Sequence, residues 1–212
     1  MTLYLDSAII SEAKIASKFG WVKGITTNPT LLAKSELSPT ETLQQLKEII
    51  SGELYYQLTA SDFDGMVAEG KAAFELIGSQ TVLKVPATPV GFEVVAYLSP
   101  NIACSVTAIY SAAQAVVAME AGAKYAIAYV NRATKLLGDG VALVRDMASV
   151  LAGSQTKILA ASVKSPLEAV ETLKAGADCL TLPLGVLQAM AVHELSEKTV
   201  EEFGKNGRGI FG

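Results

Sequence analysis

The sequence has one histidine, two cysteines and no long run of apolar residues. A single histidine, His193, excludes the usual Ser-His and Cys-His nucleophile pairs and any metal site built from several histidines. Cys104 and Cys179 lie far apart in apolar segments, which predicts reduced core residues rather than a disulfide framework or a zinc site. Enzyme chemistry in this chain must therefore use Lys, Asp, Tyr, Thr, Asn or Gln.

Positive charge is also scarce. The chain has 17 Lys and Arg against 21 Asp and Glu, a formal net charge of −4, and no basic run. Because nucleic-acid-binding proteins concentrate basic residues, we predict a small-molecule substrate and no nucleic-acid partner. No signal peptide precedes the opening apolar segment, and no stretch approaches the roughly 18 apolar residues of a membrane span. We therefore expect a cytoplasmic protein with no membrane partner.

What the sequence does contain is a regular alternation of short apolar strands and helix-patterned segments. Its 212 residues, 50% of them hydrophobic, can form one core, so we predict a single domain over residues 1–212. Eight strands are predicted: Leu3–Ser7, Gly24–Asn28, Leu54–Leu58, Thr81–Pro86, Ile102–Thr107, Tyr125–Val130, Lys157–Ser162 and Cys179–Pro183. This α/β pattern favours a (β/α)8 TIM barrel with an extra C-terminal helix. An open doubly wound sheet is the alternative, but the first turn lacks the glycine typical of that fold.

The helical segments carry their own start signals. Ser38-Pro39-Thr40-Glu41 and Ser165-Pro166-Leu167-Glu168 both match a capping box with proline at the first helical position. After the second motif, three apolar residues recur at the spacing of one helix face: Leu167, Val170 and Leu173. A further helix is predicted over residues 62–77, with an apolar face formed by Phe63, Met66, Val67, Phe74 and Ile77.

A lysine stands inside the fourth predicted strand. The neighbours of Lys84 within Thr81–Pro86 are apolar or β-branched, which predicts a strand that is buried on both faces. Burial disfavours the ammonium form and lowers the lysine pKa from about 10.4, which suits a nucleophilic amine that forms a Schiff base. The alternative interpretation is that the lysine stem packs in the strand while its amine reaches solvent.

Polar side chains recur where the predicted strands end, the position at which barrel enzymes carry their catalytic residues. They are Asp6, Thr26, Asn28, Gln57, Lys84, Thr107, Tyr129, Arg132 and Ser162. Thr26 shares a strand face with Asn28, as Ile127 does with Tyr129. Each residue alone has a structural explanation, such as helix capping by Asp6 or core packing by Tyr129. Together, nine polar residues at one end of seven successive strands favour a single site.

Two segments resemble the paired signatures of the transaldolase family. They are GITTNPTLL at residues 24–32 and VLKVP at residues 82–86, and the resemblance runs along essentially the whole chain. With Gln57, TAIY at 107–110, YVNR at 129–132 and LAAS at 159–162, the chain is most similar to the small bacterial fructose-6-phosphate aldolase branch. The resemblance implies a barrel enzyme that acts on sugar phosphates without a metal or other cofactor.

The resemblance also implies catalytic roles. Lys84 matches the Schiff-base lysine, and Asp6 matches the carboxylate that handles the substrate hydroxyl proton during carbon–carbon cleavage. Gln57, Thr107 and Tyr129 match a trio that positions a catalytic water, which is chemically reasonable because Schiff-base formation needs proton transfer.

Four further positions match substrate-binding residues of the family. Thr26 and Asn28 match residues that hold substrate hydroxyls, and Arg132 with Ser162 matches the phosphate site. A guanidinium suits a phosphate because its donors form a planar fork.

Differences from the family bear on the choice of reaction and donor. Transaldolases usually carry Glu and Phe where this chain has Gln57 and Tyr129, which favours the aldolase branch. Ile127 stands where the family has a small residue or serine, and Ser105 also departs from the expected types. Ile127 and Ser105 are therefore candidate donor-binding residues, and a branched side chain there is expected to crowd the hydroxymethyl pocket of the donor. Hydroxyacetone or another dihydroxyacetone analogue then becomes a possible donor.

Three functions follow from these observations. The first is an aldolase that cleaves and forms fructose 6-phosphate from dihydroxyacetone, or an analogue, and glyceraldehyde 3-phosphate. The second is a transaldolase that transfers a dihydroxyacetone unit between sugar phosphates. The third is a phosphosugar-binding barrel without catalysis, or an isomerase whose lysine acts only electrostatically.

The C-terminal segment lies outside the eight strand–helix units. By resemblance, residues 195–212 form a helix across a neighbouring subunit of a ring-shaped homo-oligomer, a pentamer or a decamer. Ile210 and Phe211 would give this segment an apolar anchor. The alternative is a frayed tail.

Overall fold

A computed structural model describes residues 1–210 and shows eight parallel strands closed into a barrel. The strands are β1 (Thr2–Asp6), β2 (Val22–Thr26), β3 (Glu53–Gln57), β4 (Thr81–Pro86), β5 (Cys104–Ile109), β6 (Tyr125–Tyr129), β7 (Lys157–Ala161) and β8 (Cys179–Leu182). Each strand pairs with the next, and β8 closes the barrel on β1. The predicted (β/α)8 barrel is confirmed, and the open sheet is wrong.

Helices surround the barrel in the arrangement typical of this fold. They are α1 (Ile10–Ser17), α2 (Pro29–Leu32), α3 (Pro39–Ile49), α4 (Phe63–Ile77), α5 (Pro89–Leu98), α6 (Ala112–Glu120), α7 (Val130–Leu137), α8 (Gly140–Val150), α9 (Pro166–Lys174), α10 (Leu184–Met190) and α11 (Glu194–Asn206). Over residues 1–210, none of these helices combines the length and apolar character that crossing a membrane requires.

The two predicted capping boxes differ. At α3, Ser38 Oγ accepts from the Glu41 backbone N–H, and the Glu41 carboxylate accepts from the Ser38 backbone N–H, so the box is complete. At α9, Ser165 Oγ caps the Glu168 N–H, but the Glu168 carboxylate accepts from other groups. The predicted start of the second helix is confirmed, whereas the prediction of a reciprocal hydrogen bond from the Ser165 backbone N–H to the Glu168 carboxylate is wrong.

The predicted apolar face of α4 is only partly the buried one. Met66 and Ile77 are buried, but Phe74 is 36% exposed. The helix instead approaches the barrel through Gly70, where an added Cβ would lie 2.9 Å from Leu83 Cδ1. Close packing favours small residues at such contacts, so the helix turns its phenylalanine outward.

The predicted apolar face of α9 is also wrong in part. Leu173 packs partly against the core, but Leu167 is 72% exposed and Val170 is also exposed. The buried residues of this helix are Ala169 and Thr172. As in α4, small side chains form the contact with the barrel.

The N-terminal end of the barrel is closed by three tyrosines around one carboxylate. Glu53 accepts hydrogen bonds from Tyr4 at 2.6 Å, Tyr55 at 3.0 Å and Tyr125 at 3.0 Å, and it pairs with Lys124 at 2.7 Å. Burial alone would raise the pKa of Glu53, but these hydrogen bonds, chiefly from Lys124 and Tyr4, lower it below its ordinary value. This cluster fills the end of the barrel opposite the predicted site.

The C-terminal helix is confirmed as α11, which buries none of its residues in the chain. Its apolar side chains include Leu195, Val200 and Phe203, all exposed, with Phe203 at 70%. Ile210 is exposed as well, and Phe211 lies outside the described residues. The packing of this segment on a neighbouring subunit stays a prediction.

Candidate active site

A cavity of about 380 Å³ opens at the C-terminal end of the barrel. Seven of the nine predicted polar residues line it: Asp6, Asn28, Gln57, Lys84, Tyr129, Arg132 and Ser162. The other two, Thr26 and Thr107, are buried and hydrogen-bond to residues that line it. Side chains that are far apart in the sequence therefore meet in one pocket because parallel strands end at the same side of the barrel.

Lys84 is 3% exposed and is one of the residues that line this cavity. Its Nζ donates to the backbone carbonyl oxygen of Thr27 at 2.9 Å. Burial lowers the pKa of Lys84, and the nearby Asp6 carboxylate partly opposes that shift. The interpretation in which the amine reaches bulk solvent is therefore wrong. An amine in this setting is available as the free base at a lower pH than a surface lysine.

Asp6 is held by a chain of two hydroxyls that links β1, β2 and β8. Thr26 Oγ1 donates to Asp6 Oδ1 at 2.8 Å and lies 2.5 Å from Thr181 Oγ1. Because Thr26 uses its only hydroxyl hydrogen on the carboxylate, Thr181 must be the donor to Thr26. Sequence reasoning missed Thr181. Its signal was its place near the end of the eighth strand, two residues after Cys179 and on the same face.

Tyr129 receives a hydrogen bond from Thr107 Oγ1 at 3.0 Å. Burial raises the pKa of Tyr129, and the Thr107 hydrogen bond only partly opposes that effect. The Arg132 guanidinium lies 5.3 Å from the centre of the Tyr129 ring, within the range of a cation–π contact. Since its oxygen already accepts from Thr107, the neutral phenol can donate its own hydrogen to a water or a substrate in the cavity.

Gln57 stands in register with Lys84 on the neighbouring strand. Its side-chain oxygen is buried and has no hydrogen-bond partner among residues 1–210. Such an atom costs about 1–3 kcal/mol, so a donor bound in the cavity would be stabilised there. The loop after Gln57 is fixed by Glu69, whose carboxylate accepts from the backbone N–H groups of Thr59 and Ala60 at 2.8 and 2.9 Å.

Asn28 lies where β2 leads into α2. Its Oδ1 caps that helix by accepting from the Leu31 backbone N–H at 2.9 Å. The amide NH2 is therefore the part of Asn28 that could donate to a substrate hydroxyl. The motif around Asn28 thus both starts a helix and supplies a donor to the cavity.

The rim of the cavity carries two cations and a serine. Arg132 lies in the first turn of α7, Ser162 follows β7, and Lys164 stands two residues further on. Two cations with a hydroxyl suit an anion such as a phosphate. Sequence reasoning missed Lys164, and its only signal was the short distance along the chain from Ser162.

Two predicted donor-binding residues do not line the cavity. Ser105 is fully buried and donates to the Leu83 backbone carbonyl at 2.9 Å. Ile127 is buried in the apolar cluster inside the barrel, one strand layer below Tyr129. The effect of Ser105 and Ile127 on donor choice stays a prediction, and it would have to act through the residues above them. In the described part of the chain, no group of three or more His, Cys, Asp or Glu side chains could hold a metal ion.

Comparison with known sequences identifies the family. The sequence profile described as "Transaldolase/Fructose-6-phosphate aldolase" matches residues 3–208. The chain belongs to this family. A probable transaldolase of Kosmotoga olearia is 36% identical over 206 residues, which covers 96% of this chain and 94% of the relative. A probable transaldolase of Nitrosopumilus maritimus is 37% identical over 210 residues, which covers 97% of this chain and 94% of the relative.

Two solved structures with low sequence identity are similar to this chain in fold. An inosine 5′-monophosphate dehydrogenase from Legionella pneumophila has a TM-score of 0.62 at 13% identity, and the match covers 87% of this chain and 58% of that protein. A mandelate oxidase variant has a TM-score of 0.63 at 16% identity, and the match covers 95% of this chain and 74% of that protein. The barrel is thus shared with other chemistries, whereas family membership identifies an enzyme of the aldolase and transaldolase type.

Proposed function

We propose that this enzyme is a Schiff-base aldolase that cleaves and forms fructose 6-phosphate. Its products would be glyceraldehyde 3-phosphate and dihydroxyacetone or an analogue. The observation that carries this proposal is Lys84, a buried lysine with a lowered pKa that lines a cavity at the C-terminal end of the barrel. A lysine whose only role was structural would not need to border that cavity.

The chemistry starts with attack of the neutral Lys84 amine on the ketone carbon of the sugar phosphate. The resulting carbinolamine loses water to give an iminium, which withdraws electrons from the neighbouring carbon–carbon bond. Asp6 then accepts the proton of the hydroxyl on the far carbon as that bond breaks and the aldehyde leaves. The electrons of the broken bond convert the iminium into a three-carbon enamine, and the proton taken by Asp6 passes to the enamine carbon, directly or through a bound water, to give an iminium again. Water adds to this iminium and releases the ketone with the free amine.

Proton transfer to and from the carbinolamine needs a mobile proton carrier. A water bound between the Tyr129 hydroxyl and the Gln57 amide can serve, because the two side chains offer a donor and an unpaired acceptor. Thr107 orients the phenol through its hydrogen bond.

The phosphate would bind at the cationic rim. Arg132 offers a forked guanidinium, and Ser162 and Lys164 offer further donors beside it. The amide of Asn28 would bind a substrate hydroxyl, with Thr26 holding Asp6 in place.

Borohydride trapping tests the proposal directly. After incubation with dihydroxyacetone and reduction, mass spectrometry should find a three-carbon adduct on Lys84. The K84M variant should carry no adduct, whereas K164M, which changes the other lysine that lines the cavity, should still be labelled at Lys84. An unmodified Lys84 in a fully active protein contradicts the mechanism.

The transaldolase reaction is the second candidate, favoured by the two relatives above, both of them probable transaldolases. Gln57 and Tyr129, where transaldolases usually carry Glu and Phe, favour the aldolase. Fructose 6-phosphate supplied alone separates the two reactions. Release of glyceraldehyde 3-phosphate without an acceptor supports the aldolase, and strict dependence on erythrose 4-phosphate supports the transfer reaction. Calorimetric binding without any turnover would instead support a binding protein.

We also propose a cytoplasmic homo-oligomer whose only other partner is the sugar phosphate, with neither nucleic acid nor membrane involved. The free, buried cysteines Cys104 and Cys179 support a reducing compartment. The exposed apolar residues of α11 support packing on a second copy of the chain, in a ring of five or ten subunits.

A further inference from the structure

The carboxylate of Glu168 joins two chain segments at the rim of the cavity. Glu168 lies in the first turn of α9, and its Oε2 accepts from the backbone N–H of Lys164 at 2.6 Å. Its Oε1 accepts from Asn131 Nδ2 at 3.2 Å. One side chain therefore ties the start of α7 to the loop that follows β7, although Glu168 does not line the cavity itself.

These two segments carry the cationic rim. Asn131 precedes Arg132 in the chain, and Lys164 is two residues beyond Ser162. A second link joins the same segments, because the Asn131 backbone N–H donates to the Ser162 carbonyl oxygen at 3.1 Å. Beyond the pairing of β6 with β7, which ends at Tyr129 and Ala161, the guanidinium-bearing segment and the serine-bearing loop are thus joined by one backbone hydrogen bond and one carboxylate bridge.

The loop that is bridged has an unfavourable backbone conformation. Ser162 has a φ of 60°, in the left-handed region that residues other than glycine rarely adopt. Such a conformation persists only when surrounding contacts hold it. The Glu168 carboxylate binds the backbone of this loop two residues after Ser162, so it is one of the contacts that hold the loop.

The bridge is not a by-product of helix capping. The same Ser-Pro-X-Glu pattern starts α3, and there Glu41 returns its carboxylate to the Ser38 backbone N–H. At α9 the Glu168 carboxylate leaves the cap incomplete and binds the rim instead. The two motifs have the same local pattern, and the two glutamates bind different groups because different chain segments lie next to them.

We infer that Glu168 is a positioning residue that holds Arg132 and Ser162 in register for a phosphate and so sets the preference for phosphorylated over unphosphorylated aldehydes. This inference rests on the proposed function, because it takes the cationic rim as the phosphate site. Glu168 acts through the residues it ties together and does not touch the substrate.

The test measures kcat/KM in the aldol direction with dihydroxyacetone and either glyceraldehyde 3-phosphate or glyceraldehyde. We expect kcat/KM of E168A to fall about tenfold with the phosphorylated aldehyde and to change little with the free aldehyde. Displaced phosphate-binding groups weaken the reaction only of the substrate that carries a phosphate. E168Q keeps one acceptor oxygen and should fall between E168A and the wild type. If E168A keeps the wild-type ratio of kcat/KM between the two aldehydes, the inference is overturned.

Two control variants separate positioning from loss of stability. S165A removes the cap of the same helix and leaves the bridge, and E171A removes an exposed carboxylate one turn further along, which pairs with Lys174. Both should keep the wild-type selectivity, even though S165A should lower the melting temperature. Equal selectivity in E168A and S165A contradicts the role of Glu168.

Calorimetric titration with inorganic phosphate keeps this inference separate from the proposed function. If the wild type turns over neither aldehyde, the proposed function fails, and the titration still decides the role of Glu168. A roughly tenfold weaker phosphate affinity in E168A, but not in S165A, supports the bridge. Unchanged affinity in E168A, or no binding by the wild type, overturns it.

Discussion

The Thr181 hydroxyl lies 2.5 Å from the Thr26 hydroxyl and donates to it, while Thr26 donates to Asp6. The contact exists because β8 closes the barrel on β1, which brings the last strand beside the first. Asp6 therefore has a hydrogen-bonded support that extends across the seam of the barrel. In an enzyme that cleaves carbon–carbon bonds, that support would keep the carboxylate pointed at the hydroxyl it deprotonates.

Replacing Thr181 should weaken catalysis without removing it. T181V keeps the shape of the side chain but loses the donor to Thr26, and one such hydrogen bond is worth about 1 kcal/mol, or roughly a fivefold loss in kcat/KM. T181S, which keeps the hydroxyl, should retain most of the activity in steady-state cleavage assays. The matched control is T172V, since the buried Thr172 hydroxyl has no partner among residues 1–210. Equal activity of T181V and T181S would contradict the role of the Thr181 hydrogen bond in supporting Asp6.

Stability should respond to pH through Lys84. Its pKa is lower in the folded protein than the ordinary 10.5, so the unfolded chain binds more protons between those two values. Folding stability of the wild type should therefore rise with pH across that interval, relative to K84M, which has no amine to titrate. Urea unfolding of both proteins from pH 7 to pH 10 measures the difference. Parallel stability curves would indicate that Lys84 titrates normally in the fold.

The Glu53 cluster should contribute stability rather than catalysis. E53Q removes the charge that three tyrosine hydroxyls and Lys124 bind, and we expect a loss of about 2 kcal/mol in the free energy of unfolding. Lys124 is half exposed, so most of this loss should come from the tyrosines. The candidate active site lies at the opposite end of the barrel, so kcat should be unchanged.

The pH dependence of the Glu53 effect has a definite sign. Because the pKa of Glu53 is lowered on folding, its contribution is complete above the ordinary value of 4.5 and is lost as pH falls through the lowered value. The stability gap between wild type and E53Q should therefore narrow on acidification below pH 4.5. Chemical unfolding at several acidic pH values checks this, and a constant gap would contradict it.

Association should depend on the apolar residues of α11. The double variant L195S/F203S removes two exposed apolar side chains, and sedimentation equilibrium should show a smaller particle than the wild type. V117S, at another exposed apolar position on α6, is the control and should leave the particle unchanged. A wild type that sediments as a monomer would remove the basis for the proposed ring.

Local sequence pattern was sufficient to predict the barrel. Eight short apolar strands alternate with helical segments along the chain. Few folds are compatible with that order of elements. The same reasoning brought the candidate site residues to one end of the barrel, because parallel strands in a closed barrel all end on one side. Lys84, Asp6 and Tyr129 could therefore be assigned to one pocket before any distance was known.

Other features depend on which residues meet across the fold, and no local pattern contains that information. Thr181 reaches Thr26 only because the barrel closes, and Glu168 leaves its helix cap only because Asn131 and the Lys164 backbone lie within reach. Likewise, the buried faces of α4 and α9 follow the space left by the strands rather than the most hydrophobic stripe. The sequence by itself determined the order of strands and the side chains at their ends. Tertiary structure decided the partner of each polar group, because hydrogen bonds and close packing are set by distances between segments that are remote in the chain.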